Sequence, residues 1–378
     1  MEITKIPFNK PYLTGNEITY ISQAVQSGHI SGNGNYTKMC HQYFEKRYGL
    51  KKGLLTTSCT DALEMCALLL NIQQSDEIIV PTYTFVSSAL AFSRQGAKIV
   101  FADSEKNNPN IDPTQLEKLI TKNTKAVLVV HYAGIACNMS AIKKITDKHN
   151  LVLIEDAAQA IESNYLKQPL GTIGDLGCFS FHETKNIQCG EGGLLLINNE
   201  KYLRRSEVLW EKGTNRAQFF RGEINKYGWV DTGSSFLISD VLAAFLFAQL
   251  EQIDRIQEKR LSIWHSYYNK LKVLEERGSI KFPVIPNYAS NNAHMFYILC
   301  KNLEERTSLI EELRKKNILA VFHYQCLHRS PYMKSVSYPK SLSNADYFED
   351  TLLRLPLYYE LDEKEITYIT DSIIKFFK

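Results

Sequence analysis

Short apolar runs alternate with longer amphipathic stretches between about residues 50 and 200. The apolar runs are rich in aliphatic and β-branched residues, which is typical of strands. They include GLLTTS, DEIIV, AKIVFAD, KAVLVV, LVLIED, GCFSF and GGLLLIN, with helix-like segments such as TDALEMCALLLNI and MSAIKKITDKHN between the earlier ones. Strands of this kind, separated by helices, predict an α/β fold with a mainly parallel sheet covered on both faces.

The pattern changes after this region. From Asp240 to Lys272, apolar residues recur at three- and four-residue steps, which predicts one long helix linking two domains. The segments MFYILCKNL, ERTSLIEELRKKN and ILAVFHYQC then predict a smaller α+β domain. A chain of 378 residues suits two domains. We predict an N-terminal arm over residues 1–15, a large domain over 16–250 and a small domain over 251–378.

Composition and charge exclude several classes of protein. The 44 basic and 41 acidic residues give a net charge of +3, so bulk charge gives no reason to expect nucleic-acid or membrane binding. The chain has neither the apolar core of a signal peptide at its start nor a membrane-spanning apolar run, which predicts a cytoplasmic protein. The eight cysteines lack metal-binding spacings, which predicts reduced thiols and no metal site.

The segment SFHETKNIQCGEGG places Lys185 between a strand and a glycine-rich turn. Ligands of α/β sheets bind at the carboxyl ends of strands, in loops of this kind. A lysine that is partly desolvated there has a lowered pKa and becomes a nucleophile. Taken alone, Lys185 is better explained as a surface lysine, since most lysines are exposed, so the functional interpretation depends on its partners.

Asp156, in LVLIEDAAQA, is the first such partner. A carboxylate at the end of an apolar strand is costly unless it is paired, and a protonated pyridine nitrogen of a cofactor is a suitable partner. Gln159 is placed to hydrogen-bond the ring hydroxyl. Glu155 faces the other side of the strand and is the weaker candidate, and helix N-capping is the alternative role for Asp156.

The segment TTSCTDALEMCALLL predicts a helix that begins near Thr60. The free N–H groups and the dipole of a helix start favour a phosphate, to which the hydroxyls of Thr60 and Ser180 add hydrogen bonds. Asp61 is assigned only its backbone N–H, because its carboxylate would repel a phosphate. Plain N-capping is the alternative.

An aromatic residue in PTYTFVSS follows a strand and is placed to stack on a flat cofactor ring. Phe85 is the first choice and Tyr83 the second. Either residue is also explained as part of the core.

These segments, in this order, resemble the DegT/DnrJ/EryC1/StrS family of sugar aminotransferases, which are fold-type I enzymes that use pyridoxal phosphate (PLP). The resemblance extends over essentially the whole chain. It is strongest to the subgroup that acts on dTDP-4-keto-6-deoxyglucose. The matching stretches include IPFNKPYLTGNE, EDAAQA, LGTIGDLGCFSFHETKN, GEGG, EKGTNR, QFFRG and NAHMFYI.

The resemblance implies a role for each candidate and a seven-stranded sheet in the large domain. Lys185 would be the Schiff-base lysine and acid/base, with Asp156 on the pyridine nitrogen and Gln159 on the ring oxygen. The remaining cofactor contacts would be Thr60, Asp61 and Ser180 at the phosphate, Phe85 on the ring, and Ser235. Ser235 stands where relatives often have an Asn supplied by the neighbouring subunit, so the resemblance also implies a homodimer with shared active sites.

Substrate contacts are less strongly indicated. The long polar loop EKGTNRAQFFRGEINKYGWVDTG is of a length usually tied to binding, and its Arg216 and Arg221 suit the oxygens of a nucleotide diphosphate. His323 and His328 lie in VFHYQCLH, where one of them is placed to reach the sugar. A solvated loop and packed histidines are the structural alternatives.

The implied reaction transfers an amino group from L-glutamate to dTDP-4-keto-6-deoxy-D-glucose, giving a dTDP-4-amino-4,6-dideoxyhexose and 2-oxoglutarate for surface polysaccharide. The galacto and gluco (viosamine) products are both open. The alternatives are a nucleotide-sugar 3-transaminase, a dehydratase on the same scaffold and a PLP-binding regulator. Lys185 argues against the dehydratase, because relatives of that type lack the lysine.

Overall fold

The computed structural model describes residues 5–335 and 341–378. The helices within these ranges are α1 (Glu17–Gln26), α2 (Asn35–Tyr48), α3 (Cys59–Leu69), α4 (Ser87–Ser93), α5 (Pro113–Leu119), α6 (Met139–Lys148), α7 (Leu203–Trp210), α8 (Arg216–Phe220), α9 (Asp240–Leu250), α10 (Ile253–Glu276), α11 (Leu303–Lys315), α12 (Ser343–Thr351) and α13 (Glu363–Phe376). The strands are β1 (Lys52–Thr56), β2 (Glu77–Pro81), β3 (Lys98–Ala102), β4 (Thr124–Val130), β5 (Val152–Asp156), β6 (Asn164–Tyr165), β7 (Gln168–Pro169), β8 (Leu176–Ser180), β9 (Gly193–Ile197), β10 (Phe296–Leu299), β11 (Val321–Phe322) and β12 (Leu352–Leu355).

The large sheet has seven strands in the order β1-β9-β8-β5-β4-β2-β3. Neighbours from β8 to β3 are parallel, and β9 runs antiparallel to both β1 and β8. Every residue of β2, β8 and β9 is buried, because separate apolar cores pack on the two faces of the sheet. The predicted α/β fold with a mainly parallel seven-stranded sheet and a smaller C-terminal part is confirmed.

Gly193 lets α3 begin close to the sheet. A Cβ atom at this position would lie 2.4 Å from the carbonyl oxygen of Ser58, far inside van der Waals contact. Only glycine therefore permits β9 to pass directly beside the start of α3. This packing sets one wall of the cavity described below.

The smaller sheet is antiparallel, in the order β10-β12-β11, and has its own apolar core. The N-terminal arm crosses this part, because the Ile6 N–H donates to the Asn317 carbonyl at 2.8 Å and Leu319 N–H donates back to Ile6 at 3.0 Å. The arm then reaches α9, where the Tyr12 carbonyl accepts from the side chain of Gln249. The predicted domain boundaries stay predictions.

The prediction of a single helix from Asp240 to Lys272 is wrong, because the segment forms two helices, α9 and α10. The break between the two helices contains no Gly or Pro, and the apolar spacing continues through it. The helices differ in burial: α9 is buried on most sides, whereas α10 leaves the large core at Ile256 and enters the small core at Ile263. Tertiary packing therefore sets the break. Within the described ranges, no helix is both long and apolar enough to cross a membrane.

Candidate active site

A cavity of about 530 Å³ lies where the carboxyl ends of the central strands face the smaller sheet. Both parts of the chain line it, together with Phe8 of the N-terminal arm. The lining residues used below are Ser58, Thr60, Phe85, Asp156, Gln159, Ser180, Lys185, His294, His323, Tyr324 and Arg354. The carboxyl edge of a parallel sheet is the usual ligand site of this architecture.

Lys185 projects its amine into this cavity from the turn that follows β8. Its backbone N–H donates to the His182 carbonyl at 2.9 Å, which fixes the turn. Burial lowers the pKa of the Lys185 amine, and the positive charge of Arg354 acts in the same direction, whereas Asp156 opposes it. None of the described residues hydrogen-bonds or ion-pairs with the amine. Lys185 is therefore a desolvated amine that is free to react.

Asp156 is the last residue of β5 and is buried at the cavity wall. One carboxylate oxygen accepts from the Ser88 hydroxyl at 2.7 Å and the other from the Ala158 N–H at 3.1 Å. No cationic side chain among the described residues pairs with it. A buried carboxylate held by neutral donors fits a protonated pyridine nitrogen as its counter-ion.

Glu155 lies on the opposite face of the same strand and is fully buried. Its carboxylate accepts from the N–H groups of Gly171, Ile173 and Gly174 at 2.9, 2.6 and 2.6 Å, and lies 2.9 Å from His131 Nε2. Glu155 therefore holds a turn in place and does not reach the cavity.

The start of α3 and the end of β8 supply hydroxyl groups at one end of the cavity. Thr60 Oγ1 lies 2.7 Å from Ser87 Oγ, and the buried Ser180 faces the same space. Ser58 caps α3 by accepting from the Asp61 N–H at 3.1 Å, while the Asp61 carboxylate accepts from the Thr57 hydroxyl. Asp61 does not line the cavity, and its backbone N–H is taken up by the Ser58 cap. Thr60 and Ser180 do line it, and their hydroxyl groups suit a phosphate.

The two aromatic candidates are in different places. Phe85 is 55% exposed and lines the cavity, with its ring centroid 6.0 Å from that of Tyr324. Tyr83 is 1% exposed and belongs to the apolar core between the two sheets. Of the two candidates, Phe85 is the one positioned to stack on a flat ring in the cavity.

Gln159 is fixed by both ends of its amide. Its oxygen accepts from the Ala133 N–H at 2.7 Å, and its nitrogen donates to the Tyr324 hydroxyl at 3.1 Å. The donor end therefore faces the cavity, where it is available to a ring oxygen.

The two histidine candidates also lie in different places. His323 lines the cavity, with Nδ1 2.9 Å from the Tyr132 hydroxyl, and burial holds its pKa well below the usual range. His328 does not line the cavity. It is buried with Nδ1 2.8 Å from Thr82 Oγ1, so the structural alternative applies to His328 within this chain.

Three candidates lie outside this cavity. Arg216 and Arg221 line a second cavity of about 490 Å³, where Arg221 pairs with Glu207 at 2.9 Å and Glu223 at 2.7 Å. Ser235 is exposed. The loop that carries the two arginines packs along α7. The roles assigned to Arg216, Arg221 and Ser235 stay predictions.

Arg354 was missed by the sequence analysis. It lies in the central strand β12 of the smaller sheet, is 8% exposed, and stacks over Phe8 with 4.6 Å from its guanidinium carbon to the ring centroid. Its Nε has no hydrogen-bond partner among the described residues, and none of their carboxylates pairs with the guanidinium. A charged residue inside the apolar run LLRLPL was the available signal.

His294 was also missed. It is buried beside the cavity with Nδ1 3.0 Å from Asn186 Oδ1, next in the chain to Lys185. Burial, followed by the positive charges of Lys185 and Arg354, holds its pKa well below the usual range. His294 is therefore a neutral residue that braces the lysine turn.

Comparisons with known proteins agree with this geometry. Residues 11–374 match the DegT/DnrJ/EryC1/StrS aminotransferase family. GDP-perosamine synthase of Escherichia coli O157:H7 is 31% identical over 98% of each chain. The spore coat polysaccharide biosynthesis protein SpsC of Bacillus subtilis is 30% identical over 97% of this chain and 96% of that protein.

Among solved structures, the putative sugar aminotransferase Spr1654 of Streptococcus pneumoniae is similar in its PMP-form and its PLP-form. The TM-scores are 0.92 and 0.91, at 25% identity, over 98% and 99% of this chain and 98% of that chain in each case. The family, the cofactor and the enzyme class expected from the sequence are therefore confirmed. The chain belongs to the DegT/DnrJ/EryC1/StrS aminotransferase family and is a PLP-dependent sugar aminotransferase.

Proposed function

We propose that this enzyme moves the amino group of L-glutamate to C4 of dTDP-4-keto-6-deoxy-D-glucose, releasing 2-oxoglutarate and a dTDP-4-amino-4,6-dideoxyhexose for surface polysaccharide. The sequence resemblance to that subgroup supports the substrate. The names of two relatives, a GDP-perosamine synthase and a spore coat polysaccharide protein, support a nucleotide-linked sugar and a polysaccharide pathway.

One observation carries the proposal: the unpaired Lys185 amine and the buried Asp156 carboxylate face one cavity that also presents the hydroxyls of Thr60 and Ser180. A cofactor with an aldehyde, a basic ring nitrogen and a phosphate needs these three kinds of partner. The residues therefore fit PLP, with Lys185 at the aldehyde, Asp156 at the nitrogen, and Thr60 and Ser180 at the phosphate.

When bound, PLP supplies a ring that withdraws electrons from the substrate carbon carrying the nitrogen. Asp156 would keep the ring nitrogen protonated, Gln159 would donate to the ring oxygen, and Phe85 would stack on the ring. Lys185 then acts as the base that takes the substrate proton and as the acid that returns it. Its lowered pKa favours the neutral amine that this proton transfer requires.

Arg354 is our candidate for holding the amino donor. L-Glutamate carries carboxylates that must enter the same cavity as Lys185. A buried guanidinium without a counter-ion is costly, and a carboxylate is its best geometric match. We therefore assign Arg354 to the carboxylate of the donor, with the ring of Phe8 packing against its guanidinium.

We further propose a homodimer in the cytoplasm. Ser235, Arg216 and Arg221 lie outside their own chain's cavity, which is the arrangement required of residues that serve a neighbouring subunit. In that arrangement, Ser235 would complete the phosphate site, and the two arginines would meet the nucleotide diphosphate.

The substrate assignment is tested by product analysis. Purified enzyme is incubated with L-glutamate and dTDP-4-keto-6-deoxy-D-glucose, and the C4 proton couplings of the product are read by NMR. The proposal expects an amine at C4, and a large or small coupling then identifies the gluco or galacto product. GDP-4-keto-6-deoxymannose is the matched control. Turnover of the GDP sugar alone, or an amine at C3, would contradict the assignment.

A further inference from the structure

A second group of polar side chains lies behind the cavity, away from Lys185. It consists of Cys326, His328 and Asp346, and one ligand atom from each lies within 4.8 Å of the other two. Cys326 is 1% exposed, His328 is 8% exposed, and Asp346 is half-buried. A thiol, an imidazole and a carboxylate are the ligands that Zn²⁺ takes in proteins, whereas Mg²⁺ and Ca²⁺ prefer oxygen alone.

Two of these atoms lack a hydrogen bond, although Asp346 Oδ1 also lies 3.5 Å from Arg329 Nη1. His328 Nε2 and Asp346 Oδ1 are both inaccessible to water, and neither makes a hydrogen bond to any residue in the described ranges. They lie 3.5 Å apart, which is long for an N–H···O bond. Two ligands of a tetrahedral zinc ion, at the usual Zn–N and Zn–O distances, are about 3.4 Å apart. Their separation therefore suits two atoms that share one ion.

His328 is already oriented as metal-binding histidines are. Its Nδ1 lies 2.8 Å from Thr82 Oγ1, and its backbone N–H donates to the same oxygen at 3.2 Å. When Nδ1 carries the proton and donates to Thr82, Nε2 keeps a lone pair directed at Asp346 and Cys326.

The surrounding charges balance. Arg329 lies 3.5 Å from both Asp346 and Glu349, and Glu349 also accepts from the Cys326 N–H at 2.9 Å. Glu349 is thus satisfied by Arg329 and the backbone. A thiolate at Cys326 and the Asp346 carboxylate then carry two negative charges, which a divalent ion neutralises.

We propose that Cys326, His328 and Asp346 bind one Zn²⁺ ion, with a water molecule in the fourth position. The ion has a structural role that is independent of the proposed reaction. It ties α12 to the loop after β11, which the Leu327 N–H joins to the Thr82 carbonyl at 2.9 Å. These loops carry Phe85, His323 and Tyr324 to the cavity, so the ion holds cavity walls in position.

The test uses Co²⁺ as a coloured substitute for zinc. Purified holoenzyme is stripped of metal with a chelator, titrated with Co²⁺ and read in the visible region, beyond the absorbance of the cofactor. The proposal expects intense bands of four-coordinate Co²⁺ with a stoichiometry of one per chain, bleached by added Zn²⁺. Protein purified from cells grown with zinc should contain one zinc ion per chain, as measured by mass spectrometry.

Two ligand variants and one control complete the test. Cys326→Ser and Asp346→Asn should each weaken Co²⁺ binding by roughly a hundredfold. Cys300→Ser, at a buried cysteine of the same region outside the group, should bind as the unmodified enzyme does. Circular dichroism checks that each variant is folded. Absence of the four-coordinate bands at saturating Co²⁺, or full binding by folded Cys326→Ser and Asp346→Asn, would overturn the proposal.

Discussion

Glu155 and Asp156 are neighbours on β5 and have different roles, because successive side chains of a strand point to opposite faces. Glu155 is saturated by three backbone N–H groups of a turn, while Asp156 accepts from Ser88 and Ala158 and faces the cavity. One residue therefore stabilises the fold, and the other is available to the cofactor.

The pair gives a matched prediction. Glu155→Gln should lower the free energy of unfolding by about 2–4 kcal/mol, because it removes a buried charge that satisfies backbone donors. Asp156→Asn should leave stability much less changed and lower turnover roughly a hundredfold or more, because the ring nitrogen loses its acid. Urea unfolding and steady-state assays measure both effects. Equal loss of stability in the two variants would contradict this division.

Arg354 gives a second prediction at this scale. Arg354→Met should raise KM for L-glutamate roughly tenfold to a hundredfold, because a charge-assisted hydrogen bond to its carboxylate is lost. The half-reaction with the keto sugar should be nearly unchanged. Arg354→Lys should recover part of the affinity, and Arg314→Met, at an exposed site on α11, is the control. Impairment of the sugar half-reaction alone would instead assign Arg354 to the sugar nucleotide.

Sequence alone predicted the residues of the cavity that follow strand ends. Lys185, Asp156, Gln159, Thr60, Ser180 and Phe85 all line it, because the carboxyl ends of adjacent parallel strands meet at one edge. Arg354 comes from the smaller sheet and His294 from the segment just before β10. No local pattern encodes how this part of the chain docks against the large sheet. Asp346 approaches His328 for the same reason, so the spacing of cysteines and histidines gave no signal of the proposed zinc site.

At the scale of helices and strands, tertiary packing overrides the local sequence pattern in two places. The apolar spacing of α9 continues into α10 without a breaker, yet the helix ends at Leu250 because the two segments serve different cores. At the junction of α2 and β1, packing buries a hydrogen bond that no local sequence pattern indicates. His41 Nε2 accepts from the Leu55 N–H at 2.9 Å, which ties the helix to the sheet edge.

That junction should be sensitive to acid. Burial, followed by the charge of Lys52, lowers the pKa of His41 from 6.5 to about 3. Below pH 6.5 the unfolded chain takes up this proton and the folded chain does not, so the free energy of unfolding falls as the pH falls toward 3. The limit for one group is about 1.4 kcal/mol per pH unit.

His41→Gln keeps an acceptor for Leu55 and removes the titration. Its urea-unfolding free energy should therefore change less between pH 7 and pH 5 than that of the unmodified enzyme. His265→Gln, at an exposed site on α10, is the control. An unaltered pH dependence in His41→Gln would show that this histidine is not responsible.

At the scale of the whole molecule, the isolated chain leaves large apolar side chains in water. Phe220, Trp229 and Val230, all in the loop that carries Arg216 and Arg221, are 69%, 84% and 57% exposed. Contiguous exposed groups of this kind mark interaction surfaces. A second copy of the chain, placed over this loop, would cover them and bring the arginines toward a neighbouring cavity.

The proposed dimer is tested at this loop. Trp229→Ser should weaken self-association and lower turnover at dilute enzyme, because burial of a large aromatic ring is lost. Tyr332→Ser changes an aromatic residue that is 74% exposed elsewhere and serves as the control. Sedimentation velocity gives the oligomeric state. A Trp229→Ser enzyme that remains as fully associated as the control would place the interface elsewhere.

The central claim is that Lys185 is the residue that holds PLP, and chemical reduction tests it directly. The purified enzyme is treated with borohydride, digested and analysed by peptide mass spectrometry. The account predicts a pyridoxyl phosphate adduct on the peptide containing Lys185, and no adduct in Lys185→Ala, which should also lose turnover. An adduct on another lysine of the unmodified enzyme, or full transamination by Lys185→Ala, would contradict the account.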